Sequence, residues 1–195
     1  MSTYNAIRYN VDYANVGSLK LLSTQTASAS ASISFTTGID STYDEYWFIL
    51  NNIHPATDNT TFGFNGSIDS GSNYNVTKTT TFFRATHEEN NTSSALEYQT
   101  GKDIAQGTGD QQLAQSLSAD NDGNVSGILK LYNPSSTTYV KHFITQMNET
   151  HGGDISINTF VAGYFNTTSA VDAVRFQMSS GNIDDGTIQL FGVKQ

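Results

Sequence analysis

The stretch Ser41-Thr-Tyr-Asp-Glu-Tyr-Trp-Phe-Ile-Leu-Asn-Asn-Ile-His-Pro-Ala-Thr-Asp58 decides the fold class. Within it, Tyr46, Trp47, Phe48, Ile49 and Leu50 form the densest apolar run of the chain. Successive side chains of a strand point to opposite faces. Tyr46, Phe48 and Leu50 therefore line one side, Trp47 and Ile49 line the other, and both sides are apolar. This predicts a central strand covered on both faces. A helix fits less well, because the run is short and aromatic and Pro55 closes it. Asn51, Asn52, Pro55 and Asp58 carry turn chemistry that is expected to end the strand.

Toward the N-terminus, Thr37-Gly38-Ile39-Asp40 reads as the turn into this strand. Ala27 to Thr36 alternates strictly, with Ala31, Ile33 and Phe35 facing in and Ser30, Ser32, Ser34 and Thr36 facing out. Leu19 to Thr26 is a further strand. Residues 1–18 differ: Tyr4, Tyr9 and Tyr13 recur among Asn and Asp with no period of two. They read as an attachment arm that packs where a partner offers a groove, or else as a first edge strand on the chain's own domain.

Toward the C-terminus, Phe62, Phe64, Gly66 and Ile68 alternate with Gly63, Asn65 and Ser67, a half-buried strand. Thr77 to Ala85 is rich in Thr and Phe and favours a strand. Residues 87–123 are the least regular span. Glu97-Tyr98-Gln99 and Gln112-Leu113-Ala114-Gln115 are short strand candidates there, although Leu113 and Leu117 also suit one helical turn. Val125 to Tyr132, Thr138 to Asn148, Ser156 to Phe165, Ala173 to Ser179 and Thr187 to Val193 complete the strands. In the fourth of these, Val174, Phe176 and Met178 face in while Ala173, Arg175 and Gln177 face out. Short strands, frequent turns and no long helix predict an all-β domain over 19–195: an antiparallel β-sandwich, jelly-roll-like, behind a short N-terminal arm.

Composition narrows function by exclusion. The 195 residues contain no Cys, which removes thiol catalysis and Cys-based metal sites. The nine Lys and Arg are spread singly in a chain of net charge −9, so neither nucleic acid nor acidic lipid is an expected partner. No apolar run reaches the roughly 18 residues of a membrane span, and Met1-Ser-Thr-Tyr-Asn5 has neither basic flank nor apolar region, so no membrane insertion and no Sec-type export are expected. Charged residues make up 14% of the chain, against about 25% in an average protein. This Ser, Thr and Asn-rich composition is common in particle and fibre proteins.

Motifs for enzyme chemistry are missing: no Gly-x-Ser-x-Gly, no His-Glu-x-x-His, no phosphate-binding loop. Asp44, Glu45, Glu88, Glu89 and Glu97 would serve glycoside hydrolysis only as a pair spanning a cleft. The scattered His54, His87, His142 and His151 suggest no ligand set. Asp120-Asn-Asp-Gly-Asn124 resembles half of a calcium loop, with Asp120, Asp122 and Asn124 at alternate positions, but it lacks the closing bidentate Glu and reads equally as an Asx-rich turn. No cofactor is implied. Tyr74, Tyr98, Tyr132 and Tyr164 lie near loops, where rings stack on sugar faces or else pack in the core or an interface.

Three segments carry a resemblance: Ser34 to Asp58, Asn133-Pro-Ser-Ser-Thr-Thr-Tyr-Val-Lys-His-Phe143, and Val161-Ala-Gly-Tyr-Phe-Asn-Thr-Thr-Ser-Ala170 continuing into Met178 to Gly192. Together they resemble a domain of virion structural proteins of marine tailed phages, including cyanophages, over roughly Leu19 to Val193. The resemblance implies a non-enzymatic particle component located in the virion, as a tail-fibre or receptor-binding element or as a capsid decoration protein. A polysaccharide depolymerase is the enzymatic alternative. Implied partners are other virion proteins, further copies of the chain (a trimer favoured) and a host-surface glycan. It supplies no site residues. From the strand pattern, Tyr46, Trp47 and Phe48 are the expected subunit contacts, and Tyr4, Tyr9 and Tyr13 the expected attachment residues.

Overall fold

The computed structural model describes residues 19–193, and Tyr4, Tyr9, Tyr13 and the predicted arm lie outside them. Twelve strands follow in order: β1 (Leu19–Thr26), β2 (Ile33–Phe35), β3 (Glu45–Pro55), β4 (Thr60–Ser67), β5 (Lys78–Glu88), β6 (Ser94–Tyr98), β7 (Gln111–Leu117), β8 (Val125–Tyr132), β9 (Lys141–His151), β10 (Ile155–Phe165), β11 (Ala173–Met178) and β12 (Ile183–Val193). All pairings are antiparallel. The large layer runs β1-β12-β3-β8-β9-β10-β5-β6 and the small layer β2-β11-β4-β7. The layers join where Leu117 of β7 meets His151 of β9, and a bridge from Ser30 to Ile183 nearly closes the other side.

With two hairpins set aside, the large layer reads 1-12-3-8 and the small one 2-11-4-7. Early and late strands alternate in both, the order of a long hairpin rolled into two Greek keys, so the jelly roll is present. The β5–β6 hairpin lies between β4 and β7 in the chain, the β9–β10 hairpin between β8 and β11, and both widen the large layer.

The core between the layers is aromatic. The Phe176 ring lies 5.4 Å from Phe48, 6.0 Å from Phe62, 6.2 Å from Phe64 and 6.4 Å from Phe35, so it ties strands of both layers together. Phe64 extends the cluster to Phe143 and Phe165. Gly66 permits this contact, because a Cβ there would stand 2.8 Å from the Phe165 ring. Gly66→Ala is expected to destabilise the fold by about 1–3 kcal/mol through overpacking, measured by urea unfolding.

Several sequence expectations are corrected. Asn51 and Asn52 do not end β3: Asn52 takes φ +50°, the register shifts between Leu50 and Ile53, and the strand continues to Pro55 as a bulge. The strand expected over Ala27 to Thr36 shrinks to Ile33–Phe35, since Ala29 adopts φ +50° and Ala31 is exposed. β4 is buried on both faces rather than half-buried, because the 99–110 segment lies over its outer side and Asn65 donates to the Thr108 carbonyl at 3.0 Å. Residues 111–117 form a strand, not a helical turn. The opposite holds for β3, where Tyr46, Phe48 and Leu50 fill the core but Trp47 and Ile49 stay half-buried, with no described layer over them.

Candidate functional site

That second face of β3 belongs to a continuous surface. Partners directly opposite in an antiparallel pair share a face. Leu21, Phe191, Trp47 and Lys130 therefore stand in one outward row, which continues through Ile144, Ala162 and Thr81. A parallel row carries Gln189, Ile49, Ile128, Gln146, Phe160, Phe83 and Tyr98. Of the eight exposed large hydrophobic residues among the described ones, Leu19, Leu21, Phe83, Leu96, Tyr98 and Ile144 lie on this face, and only Ile68 and Tyr139 do not. Exposed apolar residues gathered on one face suit an interaction surface.

Local contacts hold the face in shape. The Lys130 ammonium sits 4.0 Å above the Trp47 ring, whose indole N–H donates to the Glu45 carboxylate. Phe83 and Phe160 stack across strands with ring centres 4.9 Å apart. A hollow of about 410 Å³ opens over β5, β10 and β9, lined by Thr79, Thr81, His142, Ile144 and Tyr164, and a second of about 370 Å³ lies over Ile128, Gln146, Asn148 and Asn158.

The structure distributes the sequence-predicted residues unevenly. Tyr46 and Phe48 are completely buried in the chain's own core, so of the three expected subunit contacts only Trp47 reaches the outer face. The Tyr46 hydroxyl instead donates to the Asp40 carbonyl at 2.9 Å, and burial pushes it up from its ordinary range. Tyr98, Tyr132 and Tyr164 share the outer face by register with Phe83, Glu45 and His142. The Tyr98 hydroxyl donates to Asp103 at 2.6 Å, and that bond raises its pKa. Tyr74 is elsewhere, its ring under the Arg175 guanidinium at 4.6 Å beside the small layer.

The calcium candidate folds as a turn. Asp120 accepts from the Ser118 hydroxyl at 3.0 Å and its carbonyl receives the Gly123 N–H at 2.8 Å, while Asn124 donates to the Asp122 carbonyl at 3.1 Å. Asp122 and Asn124 line a polar hollow of about 360 Å³ with His54, Asp184 and Asp185, yet among the described residues no three acidic or His side chains converge as a metal site. Of the carboxylates considered for hydrolysis, Glu97 is paired with Arg84 at 2.6 Å and Glu45 with Trp47.

Two polar features, one half-buried and one buried, escaped the sequence reading. Asp110 accepts from Asn65 at 3.0 Å, from Gln177, and from Arg175 at 3.5 Å, locking the 99–110 segment over the small layer. Lys78 is fully buried beneath it and donates to the Gly109 carbonyl at 2.6 Å; burial pushes the ammonium down to about 8, against the charge of Asp110. Asp110→Ala leaves these donors unmatched and is expected to cost about 1–3 kcal/mol, with faster amide exchange confined to residues 99–110. Unchanged exchange there would contradict the role given to Asp110. The other feature is Glu149 of β9, inward and buried, whose carboxylate takes the Gln115 N–H at 3.0 Å and 3.2 Å.

No protein-family model, no curated protein and no solved structure matches the chain.

Proposed function

We propose that the chain is a non-enzymatic structural protein of a tailed-phage virion, displayed outward as a tail-fibre or receptor-binding element and anchored by residues 1–18. The observation that carries the proposal is the outer face of the large layer, which gathers six of the eight exposed large hydrophobic residues among the described ones. The resembling segments support it by packing together: Asn133 N–H donates to the Asp44 carbonyl within the first, and Val171 N–H, next to the third, donates to the Pro134 carbonyl at 2.9 Å. Of the four tyrosines expected near a glycan, Tyr98 on the edge strand β6 is the most exposed, at 49%.

The outer side of the small layer favours a second reading, capsid decoration. It is polar and tied down by Asp110, Arg175 and Gln177, as suits a surface that faces water and recognises nothing. Antibody-gold labelling of particles of the phage whose genome encodes the chain separates the two. Label at the tail or fibre tips is expected. Even label over the head would replace the leading reading with decoration, and unlabelled particles would refute both.

A further inference from the structure

We propose that the outer face of the large layer is the seat of a second copy of this chain, with two copies docked face to face about a twofold axis between β8 and β9. The inference rests on reading that face as an assembly surface, and it names what assembles there. β8 and β9 are the fourth and fifth of the eight strands. An axis between them lays the β1-β12-β3-β8 half of one copy over the β9-β10-β5-β6 half of the other, the self-complementary contact of a twofold dimer. Each half carries apolar residues: Leu21, Phe191 and Trp47 stand on one, and Ile144, Phe160 and Phe83 on the other, among polar neighbours such as Gln189 and Gln146.

Charge selects the same partner. The chain carries −9, yet between the Val193–Glu45 row and the Thr187–Asn51 row the face holds only Glu45 and Lys130 as charged groups among paired residues. The face therefore carries little of the negative charge that keeps two acidic molecules apart, and its one cation, Lys130, lies over the Trp47 ring. Size agrees: eight strands about 4.8 Å apart and four outward rows give roughly 1,000 Å², and a stable complex needs about 800 Å² per partner. A glycan fits this face less well. Of its exposed large hydrophobic residues, Leu96 at 74%, Ile144 at 50% and Leu21 at 49% are aliphatic, Phe83 and Tyr98 stand together at one edge, and Lys130 covers the Trp47 ring.

The test is the mass of the full chain by sedimentation equilibrium over a wide concentration range, with the variants Ile144→Lys, Phe83→Lys and, on a different surface, Ile68→Lys. Two-chain mass is expected for the unaltered chain and for Ile68→Lys. Ile144→Lys and Phe83→Lys are expected to associate at least tenfold more weakly with unchanged circular dichroism, since both side chains point away from the core. A single-chain mass for the unaltered chain would overturn the proposal. A three-chain mass would overturn the twofold docking, and so would two-chain mass in both lysine variants. None of these outcomes alters the particle labelling, so the assembly proposal and the virion proposal fail separately.

Discussion

Phe176→Ala is expected to lower the unfolding free energy by about 3–5 kcal/mol, the range for deleting a fully buried aromatic ring. Phe176 is inaccessible to solvent and touches rings from β2, β3 and β4. Removing it takes away apolar burial and leaves a void that strands of two different layers cannot close together. For a chain of this size the loss corresponds to a fall in melting temperature of roughly 6–20 °C. Urea unfolding followed by circular dichroism measures it, with a shifted midpoint and an unchanged slope. A cost below about 1 kcal/mol would mean that the two layers are not packed through this cluster.

Glu149→Gln is expected to flatten a fall in stability across neutral pH. Burial pushes the Glu149 carboxyl from 4.5 up to about 8, while the Gln115 N–H and the Arg84 charge pull it down. Between those two values the native chain holds a proton that the unfolded chain has released. Unfolding free energy therefore decreases as pH rises through the window and levels off above it. The stability tied to this proton is fully present below about pH 4.5 and lost once pH passes about 8. At about 1.4 kcal/mol per unit the change is on the order of a few kcal/mol. The side-chain amide of the Glu149→Gln variant would still accept from the Gln115 N–H and has no proton to lose. Unfolding of both proteins at about pH 5 and about pH 9 should show the unaltered chain losing more stability than the variant. Equal losses would show that the native carboxylate is ionised at both.

Alternation made most of the fold readable. In β9 and β11 the inward residues Phe143, Thr145 and Met147, and Val174, Phe176 and Met178, are all buried. The strand count and turn spacing likewise led to the jelly roll, because each strand is a local pattern. Positions where backbone conformation decided the outcome were not readable. Asn51-Asn52 has the composition of a turn, yet with Asn52 at φ +50° it forms a bulge inside a paired strand. The burial of Gly63 and Asn65 depends on residues more than forty positions away, around Asp110.

The candidate site was legible only in part. Trp47 and Ile49 announced a second apolar face, but its extent depends on register between strands distant in sequence. Ile144, Phe160 and Phe83 each look like isolated outward residues until β9, β10 and β5 are aligned. Tyr46 and Phe48, expected with Trp47 as subunit contacts from the apolar run, lie by its period of two on the opposite, core-facing side. Glu149 carried no local signal, since a carboxylate at an inward position is expected only where a partner such as the Gln115 N–H waits in the facing strand.

The most direct test of the central claim, that the chain is a built-in component of a tailed-phage particle, is its copy number in gradient-purified particles by quantitative mass spectrometry. A fixed number of copies per particle, banding with infectivity and resisting washing, is the expected result. Absence from particles that infect normally, or an amount that falls with each purification step, would contradict it.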